Sequence, residues 1–108
     1  MDYPKMITDL PEADIPFEGI KGWLMQSETQ QLVFMELDPI GGVPEHSHSA
    51  QFGVVLEGEM TLTVGGESTR YKKGDTYAIP AGVPHSAEVH SHVKIIDMFD
   101  EDARFSVK

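Results

Sequence analysis

Apolar and polar positions alternate along this chain only over short stretches, each of strand length. No segment longer than a turn or two keeps a 3.6-residue apolar period, and Gly and Pro recur throughout. "GWLMQS" (22–27) and "QLVFMELD" (31–38) read as the first two strands, joined by a polar turn at residues 28–30. "PIGGVPE" (39–45) reads as a Pro/Gly loop. "QFGVVLEGE" (51–59) and "EMTLTV" (59–64) follow. Gly65-Gly66 then signals a two-residue hairpin, because both central positions of such a turn favour positive φ. Turns at Lys73-Gly74-Asp75 and Pro80-Ala81-Gly82 lead to a last strand, "HVKIIDMF" (92–99). About eight short strands with frequent turns predict an all-β sandwich or barrel rather than a βαβ fold.

The 108 residues suffice for one domain: an extended arm over 1–20, a core over about 21–100 and a charged tail over 101–108. Ile15 and Phe17 of the arm are expected to pack on a sheet edge. A hydrophobic share of 40% supports a modest core. A net charge of −10 argues against a nucleic-acid backbone or an anionic membrane surface as partner, since both are met by Lys and Arg. The absence of cysteine removes disulfides and thiolate metal sites. No apolar run follows a basic start, and none approaches the ~18 residues of a spanning helix. A soluble, cytoplasmic protein is the expectation.

Histidines carry the chemistry. His46 and His48 are two apart, so on a strand they share a face, roughly 7 Å apart at ~3.4 Å per residue. Gln51 comes after a break in that parity, which requires a bend or bulge at Ser49-Ala50. His85 lies just past the Pro80–Gly82 turn. A second pair, His90 and His92, falls between strands and reads as a solvated turn. In the last strand Val93, Ile95, Asp97 and Phe99 share one face. An acid on an otherwise apolar face needs a partner or a task. Asp97 is therefore the general acid/base candidate if that face is internal, and an ordinary exposed acid if it is not.

"HSH", Gln51 and Gly58, followed by "GDTYAIPAGVPH", resemble the two motifs of the cupin superfamily. Gly74, Pro80, Gly82 and His85 fit every spaced position of the second motif, Gly-x5-Pro-x-Gly-x2-His. His46, His48 and Gly58 fit the first, with Gly41-Gly42 offset from its leading glycine. The chain departs from the pattern in three ways. Gln51 replaces the motif's acid, the His48–Gln51 gap is short, and Val89 stands where the second motif ends in Asn.

The resemblance implies a double-stranded β-helix (jelly-roll) cupin barrel of the small, cupin 2 type, usually a homodimer. It also implies a divalent transition metal (Zn, Ni, Fe, Mn or Cu) held by His46, His48, Gln51 and His85. Three imidazoles and an amide leave the ion's charge uncompensated, which strengthens it as a Lewis acid. Alternatively, Gln51 packs beside a three-His ion without touching it. Asp97, Phe99 and a nearby Arg104 further resemble small cupins of pectin and alginate breakdown, which convert unsaturated uronates to linear keto sugars. There Asp97 and Arg104 would be catalytic, Arg104 pairing a substrate carboxylate. Phe99 would line the substrate pocket. Trp23, Met25, Met35 and Met60, apolar at strand spacing, either point into that pocket or are ordinary core.

Three functions remain open on these residues. They are a metal-dependent non-redox isomerase or lyase on a small oxygenated anion such as a sugar acid, a metal-dependent dioxygenase, and a non-catalytic module binding a small molecule or metal.

Overall fold

The computed structural model describes residues 1–39 and 42–108. Gly41, half of the glycine pair set against the first motif, lies outside the described residues. Among the described residues, one short helix, α1 (Lys5–Thr8), precedes eleven strands. They are β1 (Ala13–Asp14), β2 (Ile20–Gln26), β3 (Gln31–Leu37), β4 (Gly42–His46), β5 (Gln51–Glu57) and β6 (Glu59–Val64). After them come β7 (Glu67–Lys72), β8 (Thr76–Ile79), β9 (His85–Val89), β10 (Val93–Phe99) and β11 (Ser106–Val107).

A five-stranded sheet in the order β2-β3-β10-β5-β8 faces a four-stranded sheet in the order β4-β9-β6-β7. Every pairing is antiparallel. This is the all-β jelly roll, and strand alternation explains its core. Val33, Met35 and Leu37 of β3, Ile95 and Phe99 of β10, Val55 of β5 and Ile79 of β8 point inward from one sheet. Met60 and Leu62 of β6 and Val89 of β9 meet them from the other. The β6–β7 hairpin turns on Gly65 and Gly66, at φ +57° and +84°. A side chain there would be strained, so the glycines set the register in which Val64 pairs Glu67.

Residues 39–45 are not wholly loop, as the Pro/Gly content predicts, because β4 occupies Gly42–His46. Pro44 is tolerated because β4 is an edge strand, and its register against β9 slips between Val43 and His46. The arm also forms more structure than an extended segment. It carries α1 and lays Tyr3 on the outer face of the larger sheet, edge-on to Trp23 and Phe34 with ring centroids 5.8 and 6.0 Å away. The Tyr3 hydroxyl sits 2.8 and 3.1 Å from the carbonyl oxygens of Met35 and Ile95, donating to one of them. On the same face Lys94 is buried beside Glu57, its Nζ 3.3 Å from a carboxylate oxygen. The tail returns to the fold: β11 pairs with β1, and Phe105 is buried.

Candidate metal centre and cavity

His46 ends β4 directly opposite His85, which begins β9. Strand parity predicts His48 on one strand with His46, but β4 ends at His46 and His48 lies in the following loop. Gly82 of the second motif holds it there, its N–H donating to the His48 carbonyl at 2.9 Å. The three rings converge. Their ligand nitrogens lie within 4.8 Å of one another, and the His48 and His85 Nε2 atoms are 3.0 Å apart.

Backbone carbonyls settle which nitrogen is free. Nδ1 of His46 is 2.8 Å from the Pro44 carbonyl, that of His48 is 2.7 Å from Ser49, and that of His85 is 2.9 Å from Val83. A proton on each Nδ1 donates outward to those oxygens and leaves the Nε2 lone pairs facing one another. Two lone pairs at 3.0 Å repel unless a cation or proton lies between them. Burial also pulls the pKa values of His46 and His48 down, favouring the neutral imidazoles that ligate metals. The residues therefore fit a transition metal, and a nitrogen-rich donor set without thiolate suits Zn, Ni, Fe, Mn or Cu.

The rings open onto a cavity with about 70 Å³ of room for the centres of water-sized molecules. Gln51, the first residue of β5, lines it opposite Phe99 on one side and Ile79 on the other. The break in parity before Gln51 takes the form of a non-strand stretch over 47–50 with a bend at Ser49.

Asp97 also faces inward, and it is only 2% exposed. Tyr77 on β8 donates to Asp97 Oδ1 at 2.5 Å. Burial pushes the Asp97 carboxyl up to about 6, while the Tyr77 hydroxyl and the Gln51 amide pull it the other way. Desolvation, with the neighbouring Asp97 charge, in turn raises the Tyr77 phenol. Gly53 lies between the two strands that carry this pair. A Cβ at position 53 would overlap the Tyr77 ring and hydroxyl and Asp97 Oδ1, so β5 needs a glycine there.

Arg104 reaches the cavity from the tail. Its guanidinium carbon lies 4.5 Å from the Phe105 ring centroid and 5.8 Å from that of Phe99. Phe99 in turn stands edge-on to His48 at 5.3 Å. Among the described residues, the buried Arg104 Nε has no hydrogen-bond partner. None of the ion pairs found among those residues involves Arg104. Burial lowers its pKa and the Glu101 charge raises it.

Met35 and Met60 line the cavity, whereas Trp23 and Met25 do not. The latter pair share the outer face of β2, as their register against Phe34 and Leu32 requires. Trp23 is buried under Tyr3, and Met25 is 50% exposed. An inward placement read from apolar character is therefore corrected: β2 is apolar on both faces because the arm covers the outer one. His90 and His92 are exposed, within 2.7 Å of Thr61 Oγ1 and 2.9 Å of Asp38 Oδ1 respectively.

Sequence reasoning missed Tyr77 and Gln31. The signal for Tyr77 is its parity with the inward Ile79. That for Gln31 is a polar side chain leading the inward face of β3, where alternate residues 31, 33, 35 and 37 are all buried.

A family model described as the cupin domain matches residues 33–99. An RmlC-like cupin from Shewanella frigidimarina superposes with a TM-score of 0.77 at 26% identity, covering 89% of this chain and 87% of that one. KdgF from Halomonas sp. superposes at 0.75 with 23% identity, covering 85% of this chain and 86% of that one. A shorter likeness is to the HTH-type transcriptional regulator PuuR of Escherichia coli. It is 47% identical over 36 residues, 33% of this chain and 20% of the regulator's length.

Proposed function

The chain belongs to the cupin domain family, and on that premise we propose that it is a metal-dependent, non-redox isomerase or lyase acting on a small sugar acid. One observation carries the reading. A single cavity gathers three convergent imidazole nitrogens, a buried carboxyl and an arginine without a carboxylate partner among the described residues. The resemblance of Asp97, Phe99 and Arg104 to cupins acting on unsaturated uronates points to the same substrate class.

His46, His48 and His85 would hold the metal through Nε2, with the Gln51 amide oxygen as a fourth donor. Bound there, the ion supplies Lewis acidity toward a carbonyl or hydroxyl oxygen. Arg104 pairs the substrate carboxylate, its guanidinium placed over the Phe105 ring. Phe99, Met35 and Met60 form an apolar wall that excludes water. Asp97 moves the proton between substrate oxygen and carbon. Tyr77 holds its Oδ1 in place.

The test is turnover of a 4,5-unsaturated uronate by protein loaded with Zn or Ni, with and without O₂, in wild type and Asp97→Asn. The proposal expects anaerobic turnover that Asp97→Asn abolishes while bound metal, measured by elemental analysis, stays at one equivalent. Oxygen uptake tied to turnover would replace it with dioxygenase chemistry.

The PuuR likeness favours a second reading, in which the same cavity senses a ligand without transforming it. Tight uronate binding that survives Asp97→Asn, with no product formed, would select that reading. No helix among the described residues is long and apolar enough to cross a membrane. A homodimer is part of the proposal. Met25, Phe52 and Met98, at 50%, 53% and 38% exposure, form an apolar row across the outer sheet face that a second copy would cover. Sedimentation of wild type against Phe52→Glu reads that state.

A further inference from the structure

Arg104 sits on a segment with little regular structure, yet its guanidinium is stacked and half-buried at one place. What fixes that segment lies outside the cavity lining. Gln31 is 1% exposed and turns its whole amide toward the tail. Its Oε1 accepts from the Phe105 N–H at 3.0 Å. Its Nε2 donates to the Phe105 carbonyl at 2.9 Å and reaches the Asp102 carbonyl at 3.2 Å. The exposed Gln26 orients this amide. Gln26 Oε1 accepts from Gln31 Nε2 at 2.8 Å, while its own Nε2 donates to the Asp102 carbonyl at 2.9 Å.

The residues before and after Arg104 are thus clamped by one buried side chain of β3. A buried amide with several satisfied partners is a rigid anchor, because releasing any of them leaves polar groups unpaired in the core. Packing alone would be met by an apolar residue at position 31, as at 33, 35 and 37 of the same inward face.

We propose that Gln31, steadied by Gln26, is the positioning residue for Arg104 and so a determinant of specificity for anionic substrates. The role rests on Arg104 binding the substrate carboxylate. With the clamp in place, the guanidinium meets an incoming carboxylate without first being ordered, which lowers the entropic cost of binding. Without it the tail remains attached through the β1–β11 pairing, but Arg104 samples other positions.

The experiment uses D-galacturonate as probe on the Zn-loaded full chain, in Arg104→Ala, Gln31→Met and the double variant. Met keeps the volume of Gln while removing its hydrogen bonds. Gln26→Ala, an exposed change, serves if Gln31→Met does not fold. Two quantities are read: the probe Kd by calorimetry, and hydrogen exchange of the Arg104 Nε–H by NMR. Arg104→Ala is expected to raise Kd about tenfold, the loss of a charge-assisted pair. Gln31→Met is expected to raise it by roughly the same factor and to speed Nε–H exchange. In the Arg104→Ala background Gln31→Met should add nothing, whereas a merely structural defect would persist there.

If Arg104→Ala weakens binding but Gln31→Met leaves it unchanged, or contributes its full effect in both backgrounds, the positioning role is overturned and the anion reading stands. If D-galacturonate fails to bind wild type, or binds Arg104→Ala equally well, the anion reading falls. The clamp is then judged by exchange alone, and unchanged Nε–H exchange in Gln31→Met overturns it as well.

Discussion

Gly53→Ala tests the packing of the Tyr77–Asp97 pair directly. In an open strand position, replacing Gly by Ala stabilises by about 0.5–1 kcal/mol, because the unfolded chain has less freedom to lose. At position 53 the sign should reverse. The added Cβ would overlap the Tyr77 ring, its hydroxyl and Asp97 Oδ1, and all three belong to buried side chains that cannot swing into solvent. Overpacking of this kind costs about 1–3 kcal/mol. Separating the hydroxyl from a buried carboxyl adds a further cost of about 1–3 kcal/mol.

After the intrinsic gain is subtracted, a net loss centred on about 3 kcal/mol remains. For a domain of this size that lowers Tm by roughly 10–15 °C. Urea denaturation followed by Trp23 fluorescence gives the free energy, and calorimetry gives Tm. Cutting Tyr77 back to Leu should relieve part of the penalty, so the double variant is less destabilised than the sum of the single changes. A Gly53→Ala protein that melts at or above the wild-type temperature would refute the placement of the tyrosine over β5, and with it the account of how Asp97 is held.

Other expectations follow from the same geometry. His48→Ala and His85→Ala should each weaken Zn binding by more than about a hundredfold, the upper end of what outer-shell changes cost, read by competition with a chromophoric chelator. Gln51→Glu should tighten Zn binding by roughly tenfold and Gln51→Leu should weaken it, since a carboxylate cancels charge that an amide does not. Equal affinities in those two variants would place Gln51 outside the ligand set. Glu12 is held below its ordinary pKa, chiefly by its hydrogen bond with Lys108 and further by Lys21. A depressed carboxylate stabilises above its unfolded pKa and loses that contribution as pH falls through the folded one. Wild-type Tm should therefore fall more than that of Glu12→Gln between about pH 5 and pH 3. Tyr3→Phe should cost about 1–2 kcal/mol in urea denaturation, through the bond from its hydroxyl to the β3 and β10 carbonyls.

Much of the architecture was legible in residue order because its causes are local. The two-residue period in Gln31–Leu37 and Val93–Phe99 marks strands wherever they end up. Gly65-Gly66 makes a hairpin from its own backbone freedom. The spacing Gly74, Pro80, Gly82, His85 carries the loop that presents one imidazole. Convergence of three histidines follows from those spacings once the sheets pair.

Which way a strand faces is another matter, because a two-residue period is indifferent to which side becomes interior. Asp97 became a cavity carboxyl only when β10 was placed between β3 and β5 with that face toward the second sheet. Trp23 and Met25 went to the outer face, and only the docking of Tyr3 from a distant part of the chain explains why that face is apolar. Pro44 hid β4 until an edge position made its missing N–H harmless. The short bond from Tyr77 to Asp97, the gap Gly53 leaves for it and the grip of Gln31 on the tail join residues 20, 24 or more than 70 positions apart. Such contacts arise from packing between elements, which no local pattern of side chains specifies.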